Sequence, residues 1–277
     1  MRSINIKGKI YEFSNPRIMG ILNFTPDSFN PSSRVIDNAE IKDRIEKMFA
    51  DGADMVDLGG MSTRPNCEVI SVEEEWRRLV PAFEIIARYF SDKVFSLDTF
   101  RAEIARRAVC DYGISIINDI SAGDADSKMF EVVADCHVPY IIMHGAPNPT
   151  LLHSNTEYSS FMNDILHFFS EKVSKLHSLG VSDIIVDPGF GFSKTVDQNY
   201  DLMSALGDFD VFELPLLVGI SRKSMIWKYL KITVEQSLNG TSVLNTVALS
   251  KGANILRVHD VTEAVETVKI CKKLNLV

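Results

Sequence analysis

The sequence predicts an α/β fold, a (β/α)8 TIM barrel preceded by an N-terminal β-hairpin. Two observations carry this reading: eight short apolar, β-branched runs alternate with amphipathic helical stretches, and nearly every run ends in a polar or charged residue. A sheet of eight parallel strands joined by crossover helices closes naturally on itself. The competing architecture, an open doubly wound sheet, lacks its GxGxxG phosphate fingerprint here.

The elements follow in order. INIKGKIYEF turns at Lys7-Gly8 and forms the hairpin. Barrel strands are predicted at Arg17 to Asn23, Ala53 to Gly59, Lys93 to Asp98, Ile114 to Asp119, Val138 to His144, Asp183 to Gly189, Leu214 to Ser221 and Ala253 to His259. Helices are predicted over Asp37 to Ala50, Val72 to Phe90, Arg101 to Tyr112, Ser127 to Asp135 and Glu157 to Leu179. The rest are Asn199 to Gly207, Ser224 to Leu230 with Gln236 to Lys251, and Thr262 to Lys273. Ser71 and Glu74 have capping-box spacing, and Gly52, Gly113, Gly180 and Gly252 stand where helices should end. The apolar face of Phe161, Ile165, Phe168 and Phe169 is assigned to packing. No linker-like composition divides the chain, so residues 1–277 read as one domain.

Bulk composition limits the function classes. Of 277 residues 45% are hydrophobic, enough for a large core. Lys and Arg total 29 against 37 Asp and Glu, a net charge of −8, which argues against nucleic-acid and membrane-surface partners. Cys67, Cys110, Cys136 and Cys271 are distant in sequence and form no CxxC pair, consistent with a reducing, cytoplasmic setting. The start of the chain shows no apolar signal core, and no run approaches the ~20 apolar residues of a membrane span.

The predicted strand ends carry Asn23, the Ser62-Thr63-Arg64 run, Asp98, Asn118, His144, Asp187, the Ser221 to Ser224 run, and Arg257 with His259. In a barrel these ends converge on one face. A lone Asp or Asn there is more often a helix cap or turn residue. Recurrence at all eight ends, and the long cations Arg64, Lys223 and Arg257, point instead to a ligand face. Asp98, Asn118 and Asp187 offer the donors and acceptors that read a heterocycle, and a carboxylate such as Asp187 can receive two parallel bonds from an aminopyrimidinone edge. Asn23, Arg257 and His259 become neighbours on closure and suit a phosphate with bound Mg²⁺. Lys223 and Ser224 open a helix, where free N–H groups favour an anion. Gly59 to Asn66 and Asp187 to Thr195 are Gly-containing loops directly after strands.

These segments also carry a resemblance. MGILNFTPDSF, GGMSTRP, SLDT, IINDI, DPGFGFSKT, VGISRKSMI and ILRVHDV are similar, in this order, to the motifs of the dihydropteroate synthase family of pterin-binding enzymes. The resemblance implies condensation of 6-hydroxymethyl-7,8-dihydropterin pyrophosphate with p-aminobenzoate, giving 7,8-dihydropteroate and pyrophosphate. It further implies Mg²⁺, a homodimer and a site at which sulfonamides act. Matching positions would place the pterin on Asp98, Asn118, Asp187 and Lys223, walled by Ile120 and Met143. The pyrophosphate and Mg²⁺ would lie on Asn23, Arg257 and His259, with Thr63 and Arg64 nearby. Ser224 would anchor the p-aminobenzoate carboxylate, packed by Pro65, Phe192 and Lys223, and Asp27 would sit on a closing loop. Lys223, Asp98, Arg257, Asp27 and Arg64 would be the catalytic groups. The implied chemistry is dissociative, with pyrophosphate leaving before the aniline nitrogen attacks. Met61 stands where the family usually has Glu, the first loop reads Asn30-Pro31-Ser32-Ser33-Arg34 without the usual Gly pair, and the segment Met143 to Thr150 is short. A methyltetrahydrofolate-binding methyltransferase domain and a non-catalytic pterin-binding paralogue are the alternatives.

Overall fold

The barrel is anchored on a plug. In the computed structural model, which describes residues 2–24, 38–61, 69–146 and 156–277, strands β1 (Ser3–Ile6) and β2 (Lys9–Glu12) pair antiparallel. Lys7 and Gly8 take φ of 50° and 80°, so both central residues of the turn are left-handed. That is the type I′ turn whose twist suits a two-residue hairpin. Ile4 and Ile6 point inward with Phe13 and cover the bottom of the barrel.

Eight parallel strands follow: β3 (Arg17–Asn23), β4 (Met55–Gly59), β5 (Val94–Asp98), β6 (Ile116–Asp119), β7 (Tyr140–Met143), β8 (Ile184–Asp187), β9 (Leu217–Val218) and β10 (Ile255–Val258). Their order around the sheet is β8-β7-β6-β5-β4-β3-β10-β9, and a parallel bridge between Val186 and Leu216 closes the ring. Strand β9 is far shorter than predicted. Pro215 has no N–H to give, and the Leu216 N–H donates to the Asn254 side chain at 2.9 Å instead of to a neighbouring strand.

Helices α1 (Asn38–Ala50), α2 (Val72–Tyr89), α3 (Ala102–Tyr112), α4 (Met129–Cys136), α5 (Phe161–Ser178), α6 (Val196–Ser204), α7 (Ser224–Leu230), α8 (Leu238–Ser250) and α9 (Val261–Lys273) alternate with the strands. Ser71 accepts from Glu74 N at 3.2 Å, but the Glu74 carboxylate turns to Arg77 and Arg78, so only half of the predicted capping box forms. A complete box stands at Thr195 and Gln198 instead, starting α6 three residues before the predicted Asn199. All four predicted C-terminal glycines have positive φ. Ile165 and Phe169 are fully buried against the sheet, whereas Phe161 and Phe168 pack at its margin. Cys110 and Cys136, distant in sequence, meet with sulfurs 3.9 Å apart where α3 and α4 end. Among the described residues no helix is long and apolar enough to cross a membrane.

Inside the barrel, Met19, Met55, Ile116, Ile141, Ile185, Leu217 and Ile255, with Val94 at the margin, form one layer drawn from all eight strands. The hairpin seals this layer from below and lies opposite the strand ends that carry the polar residues. Phe13→Ala should therefore cost about 3–5 kcal/mol of stability while leaving turnover per folded molecule unchanged. Denaturant titration alongside a turnover assay checks this, and an undiminished midpoint would deny the plug its role.

Candidate active site

Side chains of a strand alternate faces, so the residue two positions beyond each inner apolar residue also points into the barrel. From Met55 the count reaches Asp57, from Ile116 Asn118, from Ile141 Met143, from Ile185 Asp187, from Leu217 Gly219 and from Ile255 Arg257. Asp98 and Ile120 enter one level higher. Asp98, Asn118, Ile120, Met143, Asp187, Phe192, Gly219, Lys223 and Arg257 line one cleft. A second hollow, between Lys7, Phe90 and Tyr112, lies at the hairpin end of the barrel and receives none of the strand-end residues.

One cation ties the floor of the cleft together. Arg257 donates from Nε to Asp57 Oδ2 at 2.7 Å and from Nη2 to Asp98 Oδ2 at 2.9 Å. Asn118 Nδ2 donates to the same Asp57 oxygen at 3.0 Å. Asp57 is wholly buried, and its Oδ1 and the hydroxyl of its register neighbour Ser96 have no hydrogen-bond partner among the described residues. Burial drives the Asp98 carboxyl up to about 7; Arg257 opposes the shift and Asp57 adds to it. Asp187 is raised as well, chiefly by burial against the pull of Lys223, and its Oδ1 accepts from Gly189 N at 2.8 Å. Lys223 is lowered to about 8 by burial, with Asp187 opposing. Its ammonium donates to the Phe190 carbonyl and lies 4.3 Å from the centre of the Phe192 ring.

The loop after β8 is braced from beneath. Lys194 is buried, and its Nζ donates to the Gly189 and Phe192 carbonyls, both at 3.1 Å, and meets His144 Nδ1 at 2.9 Å. Burial lowers Lys194 to about 7 and His144 to about 2, so His144 is neutral and its Nδ1 serves as acceptor. Gly189 has φ of 72°, and a Cβ there would lie 1.9 Å from the His144 carbonyl oxygen. Only glycine fits this close approach.

The strand-end residues thus divide. Asp98, Asn118, Asp187, Arg257, Lys223, Ile120, Met143 and Phe192 come together. His144 does not face the cleft: it turns to Lys194, and Met143 supplies the β7 wall. His259 is exposed at the rim, with Nδ1 3.1 Å from Ser221 Oγ. Ser224 is half-buried at the first position of α7 and is not among the cleft walls. Asn23 ends β3 beside β10, with its Oδ1 directly over Gly59, where a Cβ would stand 2.5 Å away. Asp27, Thr63, Arg64 and Pro65 lie outside the described residues. Asp57 and Lys194 were not anticipated. Counting two residues on from Met55 would have found Asp57, the one charge within an apolar strand; no sequence signal separates Lys194 from a solvated loop lysine.

Residues 19–259 match the family model for pterin binding enzymes. The dihydropteroate synthase of Haemophilus influenzae is 38% identical over 264 residues, 95% of each chain. The chain belongs to the dihydropteroate synthase family. Two solved members are similar to it in fold. The Yersinia pestis dihydropteroate synthase, in a sulfonamide drug complex, has a TM-score of 0.91 at 34% identity, covering 99% of this chain and 100% of its own. That of Xanthomonas albilineans, with 4-aminobenzoic acid, has 0.90 at 31%, covering 99% and 98%. As a dihydropteroate synthase family member the chain is a transferase with a TIM-type barrel.

The raised Asp98 pKa carries a stability consequence. Because the folded value lies above the ordinary 3.8, the penalty for burying the charge is absent below about pH 4 and complete above about pH 7. Asp98→Asn keeps an acceptor for Arg257 and removes that penalty. It should raise the thermal midpoint more near pH 8 than near pH 5, measured by calorimetry. Equal shifts at both values would mean the carboxyl is not desolvated as described.

Proposed function

We propose that the cleft condenses 6-hydroxymethyl-7,8-dihydropterin pyrophosphate with p-aminobenzoate. The observation that carries this reading is the convergence of Asp98, Asn118 and Asp187, three acceptor-bearing groups, with two cations and two apolar walls in one buried cleft. An aminopyrimidinone offers adjacent N–H donors. Asp187 Oδ1 is engaged by Gly189 N and retains further acceptor capacity, and Oδ2 is its second acceptor. Ile120 and Met143 flank the ring, while Phe192 beneath the Lys223 ammonium offers a face for the aniline. Ser224, Thr63 and Pro65 complete the p-aminobenzoate end in this reading.

The C–O bond between the pterin methylene and pyrophosphate breaks, and its electron pair leaves with pyrophosphate. The aniline nitrogen then forms the C–N bond and releases a proton to solvent. Asp98 and Asp187 lower the energy of positive charge developing on the pterin, and fixed dipoles in a dry site do this without reorganising. The Arg257 guanidinium reaches Asp98, which stands in register through Gly59 with Asn23, so the leaving group is assigned to Arg257, His259 and Asn23, joined in this reading by Arg64 and Asp27. While protonated and donating to the Phe190 carbonyl, the Lys223 nitrogen has no lone pair with which to capture the cation.

Mg²⁺ fits one donor here. The Asn23 amide oxygen is a hard ligand, and the missing Cβ of Gly59 leaves it room. Among the described residues no group of three or more His, Cys, Asp or Glu could hold a metal, so most ligands would be pyrophosphate oxygens and water. When bound, the ion would neutralise charge on the departing pyrophosphate. A homodimer is what the resemblance favours, and the scattered cysteines suit a reducing, cytoplasmic setting.

Turnover of the two substrates to 7,8-dihydropteroate with Mg²⁺ tests the reading against both alternatives, a corrinoid-dependent methyltransferase domain and a non-catalytic paralogue. A folded protein that binds pterin without turnover would support the paralogue. Asp187→Asn turns a donor toward the ligand's own N–H groups and should weaken pterin binding about tenfold or more. Unchanged affinity by calorimetry would remove Asp187 from recognition.

A further inference from the structure

Asp57 lies under the cleft and is not one of its walls. A fully buried carboxylate with one oxygen unpartnered is a cost that stability alone would remove, and such exceptions gather where function requires them. What Asp57 does engage are two residues that border the cleft, Asn118 and Arg257, both through Oδ2. A carboxylate oxygen held by a guanidinium offers lone pairs and no proton, so Asn118 can approach it only with its NH₂ end. The amide is planar, and fixing Nδ2 downward fixes Oδ1 away from Asp57. Asn118 is 3% exposed, so little else competes for its orientation.

We infer that Asp57 is a positioning residue that locks the Asn118 amide with its oxygen toward the cleft, so that the site selects a ring bearing an N–H donor at that point. The inference rests on the pterin reading of the cleft. Asp187, assigned to the aminopyrimidinone edge, is on β8, and Asn118 is two strands round the barrel on β6, so the two address different edges of one ring. A 7,8-dihydropterin carries one ring N–H that the oxidised pterin lacks. The lock at Asn118 therefore makes the oxidation state of the ring a determinant of binding.

The test compares equilibrium affinities for 6-hydroxymethyl-7,8-dihydropterin and 6-hydroxymethylpterin. The wild-type protein should favour the reduced ring. In Asp57→Leu the acceptor that holds Asn118 Nδ2 is gone, the amide is free to turn, and the preference should fall about tenfold. In Asp57→Asn the side-chain oxygen stays on the Arg257 guanidinium, which can only donate, and that same oxygen still receives Asn118 Nδ2, so the preference should persist. A merely structural role for Asp57 predicts that affinity for both rings changes alike in either variant. An unchanged preference in folded Asp57→Leu, or its loss in Asp57→Asn, would overturn the inference. Should Asp57→Leu fail to fold, Asp57→Asn and Asn118→Ala serve together: a preference kept in the first and lost in the second supports the inference, and any other pattern overturns it. A wild-type protein that binds neither ring would sink the pterin reading, a result distinct from either outcome for Asp57.

Discussion

The two-residue alternation of the strands, held in register by a dry layer beneath, is the constraint on which the site depends. Met19, Met55, Ile116, Ile141, Ile185, Leu217 and Ile255 fill the barrel at one level, and the hairpin closes it from below. The floor on which Asp57, Asn118, Asp187 and Arg257 stand is thereby sealed from below. A slip of one residue in any strand would exchange its core face for its cleft face. The apolar layer therefore fixes which polar side chain enters, and at what height.

Placing charges over that floor has an electrostatic consequence. Asp98 and Asp187 are pushed up, and Lys223 and Lys194 are pushed down, by burial in each case. The groups are kept partly ionic by one another: Arg257 between Asp57 and Asp98, and Lys223 opposite Asp187. Breaking one such contact leaves a buried charge uncompensated, so the cluster is mutually dependent. A ligand carrying donors toward the acids and negative charge toward the cations relieves the same penalties. Part of the cost of burying these charges is thus returned on binding.

Much of this was legible in the sequence because period and punctuation are local. Strand β3 and helix α7 fall on the predicted residues, and the hairpin turn is where Lys7-Gly8 placed it. The misreadings arose where the deciding partner is distant in sequence. His144 looked like a ligand-face residue, but its fate is set by Lys194, fifty positions away. Asp57 reads as an oddity within an apolar strand until Arg257 arrives from β10, across the closing seam of β3. Strand β9 is cut short by Asn254, which occupies its first ladder position. Helix α6 starts before the predicted Asn199 because Thr195 and Gln198 form a capping box, a local signal that the sequence itself carries.

The Ser221 to Ser224 run shows why a motif cannot assign roles by itself. Ser221 Oγ receives the His259 N–H at 3.2 Å and thereby couples the ends of β9 and β10. Arg222 takes a left-handed φ of 55°, unfavourable for a side chain of its size, and grips Asp260 through two parallel bonds of 2.9 and 2.8 Å. Its Nη1 also donates to the Glu235 carbonyl at 3.1 Å, so it fastens the segment before α8 to the start of α9. Lys223 alone turns into the cleft. The strained backbone at Arg222 is what reverses the chain between Ser221 and Lys223, and the ion pair to Asp260 holds that reversal. Replacing Arg222 by lysine would keep the charge and lose the fork. The scaffold arginine and the ligand-facing lysine are adjacent because the turn built by the first aims the second.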